Sequence, residues 1–382
     1  MYVTGTTTAF TSADTLPGIE DAAPSDQHDR MGTQSSHPTH HTYRTHHLQT
    51  PGPVEGIVPR DTPGAPPAPG PRDILVRVHA VSLNKRDLLI LDGSYPLKAA
   101  PDVIPVSDGA GEVVAVGEEV TRFGVGDRVT STYFPRWLDG RISPAMIDQP
   151  GATLPGMLAE YVRLDETAAV RVPDHLTWEE AACLPCAGVT AWNALTGAEA
   201  VLPGETVLTL GTGALALFAV QFAKTLGAQV VATTSSGAKA ARLRELGADH
   251  VLNYVEHPKW AANVRELTGG RGADLVVETG GPDTIEQSVR ATALYGRIAL
   301  IAANSPHKPS LEITTDALAS SVLTMRRIFV GSRAHHERMN RAITAHGLRP
   351  VVDRVFPYEE VHAAYRYYAS GAAFGKVVIR VS

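Results

Sequence analysis

The chain has 382 residues, of which 43% are hydrophobic and 19% charged, a composition typical of a globular protein large enough for two domains. It carries 34 basic and 40 acidic residues without a basic block, which argues against a nucleic acid or an acidic membrane as its main ligand. No apolar run is long enough to span a bilayer, and two cysteines are too few for a disulfide framework or a four-cysteine zinc site. We therefore expect a soluble protein of a reducing compartment, located in the cytoplasm.

The first part of the chain shows no regular pattern. Residues 1–41 are rich in Thr, Ser, Asp, Pro and His, and they lack the features of a secretory signal or a transit peptide. This composition predicts a disordered N-terminal extension. Five histidines between residues 37 and 47 could bind metal, but we interpret them as solvated side chains, because no rigid element is predicted there. They are His37, His40, His41, His46 and His47.

A segment rich in short strands follows. After a Pro/Gly-rich stretch at residues 52–71, the β-branched run at residues 74–81 predicts a strand. Further strands are predicted at residues 109–117 and 127–130, each next to glycine turns. Short strands separated by glycines indicate a compact β-rich domain or barrel.

From Thr177 onward, strands and helices alternate. Thr177 and Glu180 form a capping-box pattern that opens a helix. Strands are then predicted at 206–210, 229–233, 250–253, 274–278 and 297–301, with helices at 214–226, 238–246, 260–268 and 284–293. This order predicts an α/β fold with a doubly wound parallel sheet. The last segment, from residue 334, is predicted as helix, strand, helix and strand, and we expect it to return to the β-rich domain.

A glycine-rich turn carries the strongest local signal. Gly211, Gly213 and Ala216 have the GxGxxA spacing and lie between a predicted strand and a predicted helix. Glycines at such a turn allow a diphosphate to approach the backbone at the helix N-terminus. The motif therefore predicts a dinucleotide site, and a purely structural βα turn is the alternative.

The residues at the end of the second strand of this unit, predicted at 229–233, indicate whether NAD(H) or NADP(H) binds. NAD sites place an acidic residue there for the ribose 2′-hydroxyl, whereas residues 230–242 contain none. They offer Ser235, Ser236, Lys239 and Arg242, groups that suit a 2′-phosphate. The sequence thus favours NADP(H) over NAD(H), although Lys239 and Arg242 could also be the solvated face of a helix.

Several short motifs appear in a fixed order along the chain. They are AVSLNKRD at 80–87, GSYP at 93–96, DGAGEV at 108–113, GDRV at 126–129, AEY at 159–161, AACLPCAGVTAW at 181–192, LGAD at 246–249 and FGKVV at 374–378. With this ordered set, the sequence resembles the medium-chain dehydrogenase/reductase superfamily, specifically its zinc-independent quinone-oxidoreductase-like or alcohol dehydrogenase-like branch, from about residue 42 to residue 382. The resemblance implies a GroES-like substrate domain formed by residues 42–175 and 334–382, interrupted by a Rossmann NADP-binding domain at 176–333.

The resemblance also implies where the cofactor lies. The diphosphate is expected at Gly211, Thr212, Gly213, Ala214 and Leu215, and the 2′-phosphate and adenosine at Ser235, Ser236, Lys239 and Tyr254. The ribose and nicotinamide are expected along Asn84, Thr190, Gly280, Ala302, Ala303, Ser332, Arg333, Phe374, Gly375 and Lys376. Ala214 and Ala216 depart from the family's usual Gly-Thr-Gly-Gly-Val-Ser turn, so a hydroxyl that could bind phosphate is lost.

No zinc site is expected. Zinc-dependent relatives carry a Cys-His pair where this chain has Leu83 and Asn84, and Gly-His-Glu where it has residues 106–108, Val-Ser-Asp. A catalytic zinc needs three suitable protein ligands, and the sequence supplies no such set. Cys183 and Cys186 form a CxxC pair, which we interpret as structural cysteines of a buried helix rather than a redox or metal motif.

Without zinc, other groups must polarise the substrate. The candidates to stabilise charge that develops on a substrate oxygen are the Asn84 amide and the Tyr95 phenol. The alternative for Tyr95 is a turn-and-packing role in the GSYP motif, and the alternative for Asn84 is a turn-stabilising role beside the first strand. Tyr133, Phe134 and Trp137 could form an apolar wall for a planar substrate, or belong to the core or a dimer surface.

Three functions remain open at this stage. The first is an NADPH-dependent reductase of quinones, enones or similar activated carbonyl compounds. The second is a zinc-free alcohol dehydrogenase-like enzyme, and the third is a non-catalytic NADPH-binding protein. The family resemblance implies a homodimer joined through Rossmann sheets, with the strand near residues 327–330 as the candidate edge.

Overall fold

The computed structural model describes residues 42–302 and 308–382, which belong to one compact unit. The predicted disordered extension, with His37, His40 and His41, and also Ala303 lie outside the described residues. Within the described residues, no helix is long and apolar enough to cross a membrane.

The elements alternate between strand-rich and mixed segments along the chain. The strands are β1 (Thr42–Leu48), β2 (Ile57–Pro63), β3 (Asp73–Ser82), β4 (Asp108–Val116), β5 (Arg128–Ser131), β6 (Tyr161–Asp165), β7 (Ala169–Arg171), β8 (Thr206–Leu210), β9 (Gln229–Thr234), β10 (His250–Asn253), β11 (Ala273–Glu278), β12 (Thr292–Leu300), β13 (Leu323–Arg327), β14 (Val352–Pro357) and β15 (Lys376–Arg380). The helices are α1 (Lys85–Leu91), α2 (Trp178–Ala181), α3 (Val189–Thr196), α4 (Ala214–Thr225), α5 (Gly237–Glu245), α6 (Trp260–Leu267), α7 (Ile285–Ala291), α8 (Thr315–Ala319), α9 (Arg333–His346) and α10 (Val361–Ala369).

Strands from both ends of the described chain form one mixed sheet. Its order is β14-β15-β3-β4-β5-β7, and β6 pairs with β3 off this path. Because β15 lies antiparallel to β3, with Val378 opposite Ser82, the C-terminal segment returns to the β-rich sheet as predicted. This return brings β15 next to the start of α1, where the candidate catalytic residues lie.

A hairpin precedes this sheet in a region where no strand was expected. β1 and β2 pair antiparallel, so β2 occupies the stretch interpreted as a Pro/Gly-rich connection. The interpretation of His46 and His47 as solvated tail side chains is wrong for the same reason, since both belong to β1. His46 packs edge-on against the Tyr358 ring at 4.7 Å, and burial lowers its pKa to about 4. The prolines at 59 and 63 argued against a strand in the sequence. Proline is nevertheless tolerated at a sheet edge, so both residues can belong to this two-stranded sheet.

The second sheet is parallel and has the order β10-β9-β8-β11-β12-β13. Central strand β8 is buried throughout, and its successive side chains Val207 and Leu208 enter hydrophobic clusters on opposite faces. Helices cover both faces, which is the doubly wound arrangement that the sequence predicted. The edge strand was expected near residues 327–330. The observed edge strand β13 spans Leu323–Arg327 and therefore lies earlier in the chain.

Candidate active site

The glycine-rich turn follows β8, as the motif predicted. Gly211 has a φ of +77°, a backbone conformation that L side chains rarely adopt, and Gly213 caps the start of the 12-residue helix α4. A Cβ added at either glycine would meet no atom within 4 Å, so the backbone faces open space there. Phosphate groups bind favourably at such a turn, because free backbone N–H groups and the helix dipole attract negative charge.

A cavity of about 330 Å³ lies in front of this turn. Among the residues predicted to bind cofactor, those that line it are Gly211, Thr212, Gly213, Ala214, Ser235, Lys239, Tyr254 and Gly375. Sequence reasoning missed the opposite wall, which is formed by Lys85 and Leu88 of α1 and by Tyr368 at the end of α10. No local pattern could have found them, because both helices reach the turn only through the packing of the two sheets.

The C-terminal segment closes one side of this cavity. Gly375 donates its backbone N–H to the Thr212 carbonyl at 3.1 Å, so the Phe374–Gly375 segment bridges to the glycine turn. Gly375 has a φ of +103°, and a Cβ there would lie 2.4 Å from the Val351 carbonyl oxygen. Only glycine fits this close approach, which explains why the expected cofactor segment carries it.

The groups expected to bind a 2′-phosphate divide into two sets. Lys239 lines the cavity and lies 3.5 Å from the Ala373 carbonyl, and Ser236 occupies the N-cap position of α5 without a side-chain capping bond. Arg242 instead places its guanidinium over the Phe374 ring at 3.8 Å and lies 3.8 Å from Asp353. Arg242 thus stays about half exposed and does not line the cavity, so a contact of this residue with a 2′-phosphate stays a prediction. The described residues that line the cavity include two lysines, Lys85 and Lys239, and no acidic residue.

Other predicted cofactor residues lie outside this cavity, and most of their polar groups are already engaged. Thr190 donates its hydroxyl to the Cys186 carbonyl at 2.6 Å. Gly280 donates its N–H to the buried Glu278 carboxylate at 2.7 Å, and Ala302 follows the adjacent strand β12. Ser332 caps α9 through His335, and the Arg333 guanidinium lies 3.4 Å from Glu337. Their roles toward the nicotinamide half of the cofactor stay predictions.

Asn84 lies at the start of α1 and is held in a fully buried polar cluster. Its backbone N–H donates to Asp87 at 2.8 Å, and its side-chain oxygen accepts a bond from the Lys376 ammonium at 2.8 Å. Lys376 is only 1% exposed and also donates to the Leu83 carbonyl at 2.9 Å, with the Asp108 carboxylate 3.7 Å away. Because an ammonium can only donate, the amide oxygen must face Lys376. Within the described residues, the buried Asn84 Nδ2 has no hydrogen-bond partner.

The same cluster occupies the positions at which zinc-dependent relatives carry metal ligands. Leu83 offers no donor atom there, the Asn84 oxygen is taken by Lys376, and Ser107 donates to Asp108 at 2.6 Å. The second Asp108 oxygen accepts the Cys186 backbone N–H at 3.0 Å. A buried ammonium among these groups repels a divalent cation, so the residues present do not fit a catalytic zinc. In the described parts of the chain, no three His, Cys, Asp or Glu side chains are grouped to hold a metal.

The two cysteines follow α2 and are not activated. Cys183 donates its thiol to the Glu179 carbonyl at 3.1 Å, and burial raises the pKa of this thiol to about 12. Burial also raises the pKa of Cys186 above its usual range. A reactive cysteine needs a lowered pKa, so the geometry fits the interpretation of both as structural residues.

Tyr95 belongs to a hydrogen-bonded chain beside this cluster. Its hydroxyl donates to the Gln149 side-chain oxygen at 2.7 Å and lies 2.9 Å from the hydroxyl of Tyr133, which donates to it. The Tyr95 proton is therefore committed to Gln149, and the predicted role of this phenol as a donor to substrate needs that bond to break. The Arg86 guanidinium stacks over both tyrosine rings, 5.4 Å from the Tyr95 centroid and 5.0 Å from the Tyr133 centroid.

The three aromatic residues considered as an apolar wall belong to the core. Tyr133, Phe134 and Trp137 are at most 6% exposed and pack edge to face in sequence, with ring centroids 4.8 and 5.9 Å apart. Phe329, which follows β13, extends the row at 5.0 Å from Phe134. The row connects the parallel sheet to the Tyr95–Gln149 chain.

Comparison with known proteins agrees with this architecture. Residues 70–174 match the family described as an alcohol dehydrogenase GroES-like domain, and residues 214–345 match the family described as a zinc-binding dehydrogenase. A zinc-type alcohol dehydrogenase-like protein of Schizosaccharomyces pombe is 41% identical over 81% of this chain and 91% of its own length. A quinone oxidoreductase of Pseudomonas aeruginosa is 32% identical over 82% of this chain and 93% of its own length.

Solved structures of similar proteins have the same fold. A putative alcohol dehydrogenase from Sinorhizobium meliloti superposes with a TM-score of 0.81 at 38% identity, covering 89% of this chain and 99% of that one. An NAD-dependent alcohol dehydrogenase superposes at 0.80 with 33% identity, and a mycobacterial protein solved with NADPH at 0.72 with 28% identity; both cover 89% of this chain and all of their own.

Proposed function

The chain belongs to the medium-chain dehydrogenase/reductase superfamily of NAD(P)-dependent oxidoreductases, and from that premise we propose that it reduces quinones, enones or related activated carbonyl compounds with NADPH and without zinc. One observation carries the proposal. Where zinc-dependent relatives bind the metal, this chain holds a carboxamide, Asn84, whose oxygen is fixed by Lys376 and whose N–H₂ group has no partner among the described residues.

The preference for NADPH rests on charge. Two lysines, Lys85 and Lys239, line the cavity before the glycine turn, and none of the described lining residues is acidic. A 2′-phosphate gains charge-assisted bonds from such a site, whereas the ribose 2′-hydroxyl of NADH lacks the carboxylate it usually bonds. The similar proteins include both an NAD-dependent enzyme and one solved with NADPH, so the residues of this chain carry the choice.

Asn84 supplies the stabilisation that a metal gives elsewhere. NADPH, when bound, supplies a hydride for the conjugated acceptor. Negative charge then develops on the acceptor oxygen, and the Asn84 Nδ2 hydrogens can donate to it. Lys376 keeps the amide from rotating, since the reversed amide would place its N–H₂ group against an ammonium. The proton that completes the reduction comes from solvent.

The two other functions differ in their chemistry. Oxidation of a simple alcohol produces an alkoxide-like state that needs a strong electrophile or a base, and no zinc-binding set supplies one in the described residues. A non-catalytic NADPH-binding protein would keep the cofactor cavity without any need for an oriented donor at Asn84.

The decisive experiment follows NADPH oxidation at 340 nm with a panel of quinones and enones. The protein is first treated with a chelator, and NADH is run in parallel. Turnover that survives chelation and prefers NADPH supports the proposal. Activity that is lost on chelation and restored by zinc refutes it, whereas tight NADPH binding without turnover across the panel favours the binding protein.

We also propose that two copies join at the free edge of the parallel sheet. The edge strand β13 leaves one row of backbone groups unpaired within the described sheet. Apolar side chains lie exposed where β13 begins, namely Leu294, Tyr295 and Val322, and Tyr295 is 85% exposed. A second copy that continues the sheet would cover both the edge and these side chains.

A further inference from the structure

Glu278, at the carboxyl end of β11, is a fully buried carboxylate that is hydrogen-bonded by neutral groups. Its exposed fraction is 0%. Oε1 accepts the backbone N–H groups of Gly280 and Gly281 at 2.7 and 2.9 Å. The Thr284 hydroxyl donates to the same oxygen at 2.6 Å, and the Ser288 hydroxyl donates to Oε2. Four donors around one carboxyl group suit its ionised form, which only accepts, so Glu278 is a buried negative charge.

No ion pair among the described residues neutralises this charge. Buried charges in proteins are usually paired with an opposite charge, so an unpaired one needs an explanation. Arg327, two strands away in the same sheet, instead donates Nη1 to the Leu300 and Ile328 carbonyls at 3.0 and 3.3 Å. Neutral donors hold a carboxylate without removing its net charge. Because water does not screen the buried carboxylate, its charge acts strongly on a group that binds nearby.

The Glu278 turn, residues 278–281, lies beside the glycine turn. β11 is the neighbour of β8 in the parallel sheet, and the Thr279 hydroxyl donates to the Leu210 carbonyl, directly before the glycine turn, at 2.9 Å. On the other side, the Ile301 N–H donates to the Glu278 carbonyl at 2.8 Å. The Glu278 turn therefore follows the edge at which β8, β11 and β12 end.

The sheet order indicates which half of a dinucleotide reaches this turn. The cavity residues expected at the adenosine half, Ser235, Lys239 and Tyr254, follow β9 and β10, on one side of β8. With the diphosphate at the glycine turn, the nicotinamide half is expected to extend to the other side, across the ends of β11 and β12. The buried carboxylate belongs to that side of the site.

The two forms of the cofactor differ in charge at the nicotinamide half. Loss of a hydride, which carries a proton and two electrons, converts the neutral dihydronicotinamide ring to a ring with one positive charge. The phosphates are the same in both forms, so Lys85 and Lys239 attract the two forms equally. A buried negative charge on the nicotinamide side favours the oxidised form alone.

We propose that Glu278 makes bound NADPH a stronger hydride donor, because its buried charge stabilises the NADP⁺ that hydride transfer leaves behind. This inference rests on the proposed function, in which NADPH supplies the hydride. Glu278 acts through its charge and through the turn that it holds, and it is assigned no contact with the acceptor. The overall reaction is unchanged: NADPH, a proton and the acceptor give NADP⁺ and the reduced acceptor.

The test measures the Kd of NADPH and the Kd of NADP⁺ by calorimetry, without any acceptor. Glu278→Gln keeps the shape of the side chain and an oxygen for the two backbone N–H groups, and the Ser288 hydroxyl can rotate to accept from the new N–H₂ group. The ratio of the NADP⁺ Kd to the NADPH Kd should rise about 3- to 10-fold. A tenfold rise corresponds to about 30 mV in the potential of the bound two-electron couple. A residue that only shapes the turn would change both constants equally.

Glu166→Gln is the matched control. Glu166 is also a buried glutamate, 1% exposed, and its Oε2 accepts the backbone N–H groups of Thr121 and Arg122, each at 2.9 Å. It follows β6 and does not line the cofactor cavity, so its substitution should leave the ratio unchanged. Glu278→Asp keeps the charge on a shorter side chain and should retain most of the native ratio, even where it weakens the binding of both forms. The thermal transition of every variant is measured, so that a folding defect is recognised.

The outcomes separate the inference from the proposed function. An unchanged or lower ratio in folded Glu278→Gln, the same rise in Glu166→Gln, or the same rise in Glu278→Asp overturns the role of the Glu278 charge, whatever the turnover. A selective rise supports it even if the native protein reduces no acceptor, the result that refutes the reductase. If Glu278→Gln does not fold, the native protein decides: tighter binding of NADP⁺ than of NADPH supports the inference, and equal or weaker binding refutes it. A native protein that binds neither form refutes both.

Discussion

Replacement of Asn84 by aspartate tests the central step of the proposed reaction. The substitution is isosteric and retains an oxygen for the Lys376 ammonium, now as an ion pair, but it removes the Nδ2 donor. The backbone bond from residue 84 to Asp87 does not involve the side chain and is retained. The variant therefore changes the chemistry of one atom while the local fold stays the same.

The expected effect follows from the role of a single oriented donor. Loss of one such donor to a developing oxyanion lowers kcat by about 10²- to 10³-fold, equivalent to about 2.7–4 kcal/mol. Asn84→Asp also adds a charge near Asp87 and Asp108, which opposes the developing negative charge and places the loss at the upper end of that range. NADPH binding should change little, because Asn84 does not line the cavity before the glycine turn.

The assay is steady-state NADPH oxidation with a quinone, together with the Kd for NADPH and the urea-unfolding free energy. Asn84→Ala serves as the comparison, since it removes the donor and also leaves Lys376 without one acceptor. It should lose turnover to a similar extent and lose stability more than Asn84→Asp does. A folded Asn84→Asp variant with native kcat would refute the assignment of Asn84 as the oxyanion donor.

Three further predictions concern the cofactor, the pH dependence and the assembly. Lys239→Ala should raise the Kd for NADPH about 10- to 100-fold and leave that for NADH unchanged, with Lys259→Ala, outside the cavity, as the control; equal effects on both cofactors would contradict a 2′-phosphate contact. His46 has a folded-state pKa lowered to about 4 by burial, so its contribution to stability is present above pH 6.5 and is lost as the pH falls toward 4. Urea unfolding should therefore show about 2 kcal/mol from this residue disappearing between pH 7 and pH 5, and His46→Gln should remove that part of the slope; an unchanged slope would argue against it. Tyr295→Glu should convert a dimer to a monomer in light scattering, and a native protein that is already monomeric would rule out the proposed edge contact.

Local sequence patterns predicted most elements of the parallel-sheet half, although β12 begins at Thr292, inside the helix predicted at 284–293, and α8 was not predicted. β8 and β10 have the predicted bounds, and the capping box of Thr177 and Glu180 forms as expected. These elements are set by neighbours in sequence: a buried strand needs a continuous apolar run, and a helix start needs an acceptor for its first N–H groups. The hairpin of β1 and β2 was missed because its residues carry prolines and histidines and pair through the backbone.

The sequence by itself determined the fold class and the dinucleotide turn, because each depends on residues that lie close together in the chain. The candidate role of Asn84 came from the family resemblance and stays a prediction. The tertiary structure alone decided how these residues are used. It brings Lys376 into contact with Asn84, which is 292 residues away in the chain, and it places the Arg242 guanidinium over the Phe374 ring. It also places Arg86 against Pro150, next to Gln149. The packing of strands and helices that are distant in the chain decides which hydrogen-bond partners a buried side chain finds. Local sequence periodicity therefore does not predict which buried donor has no acceptor.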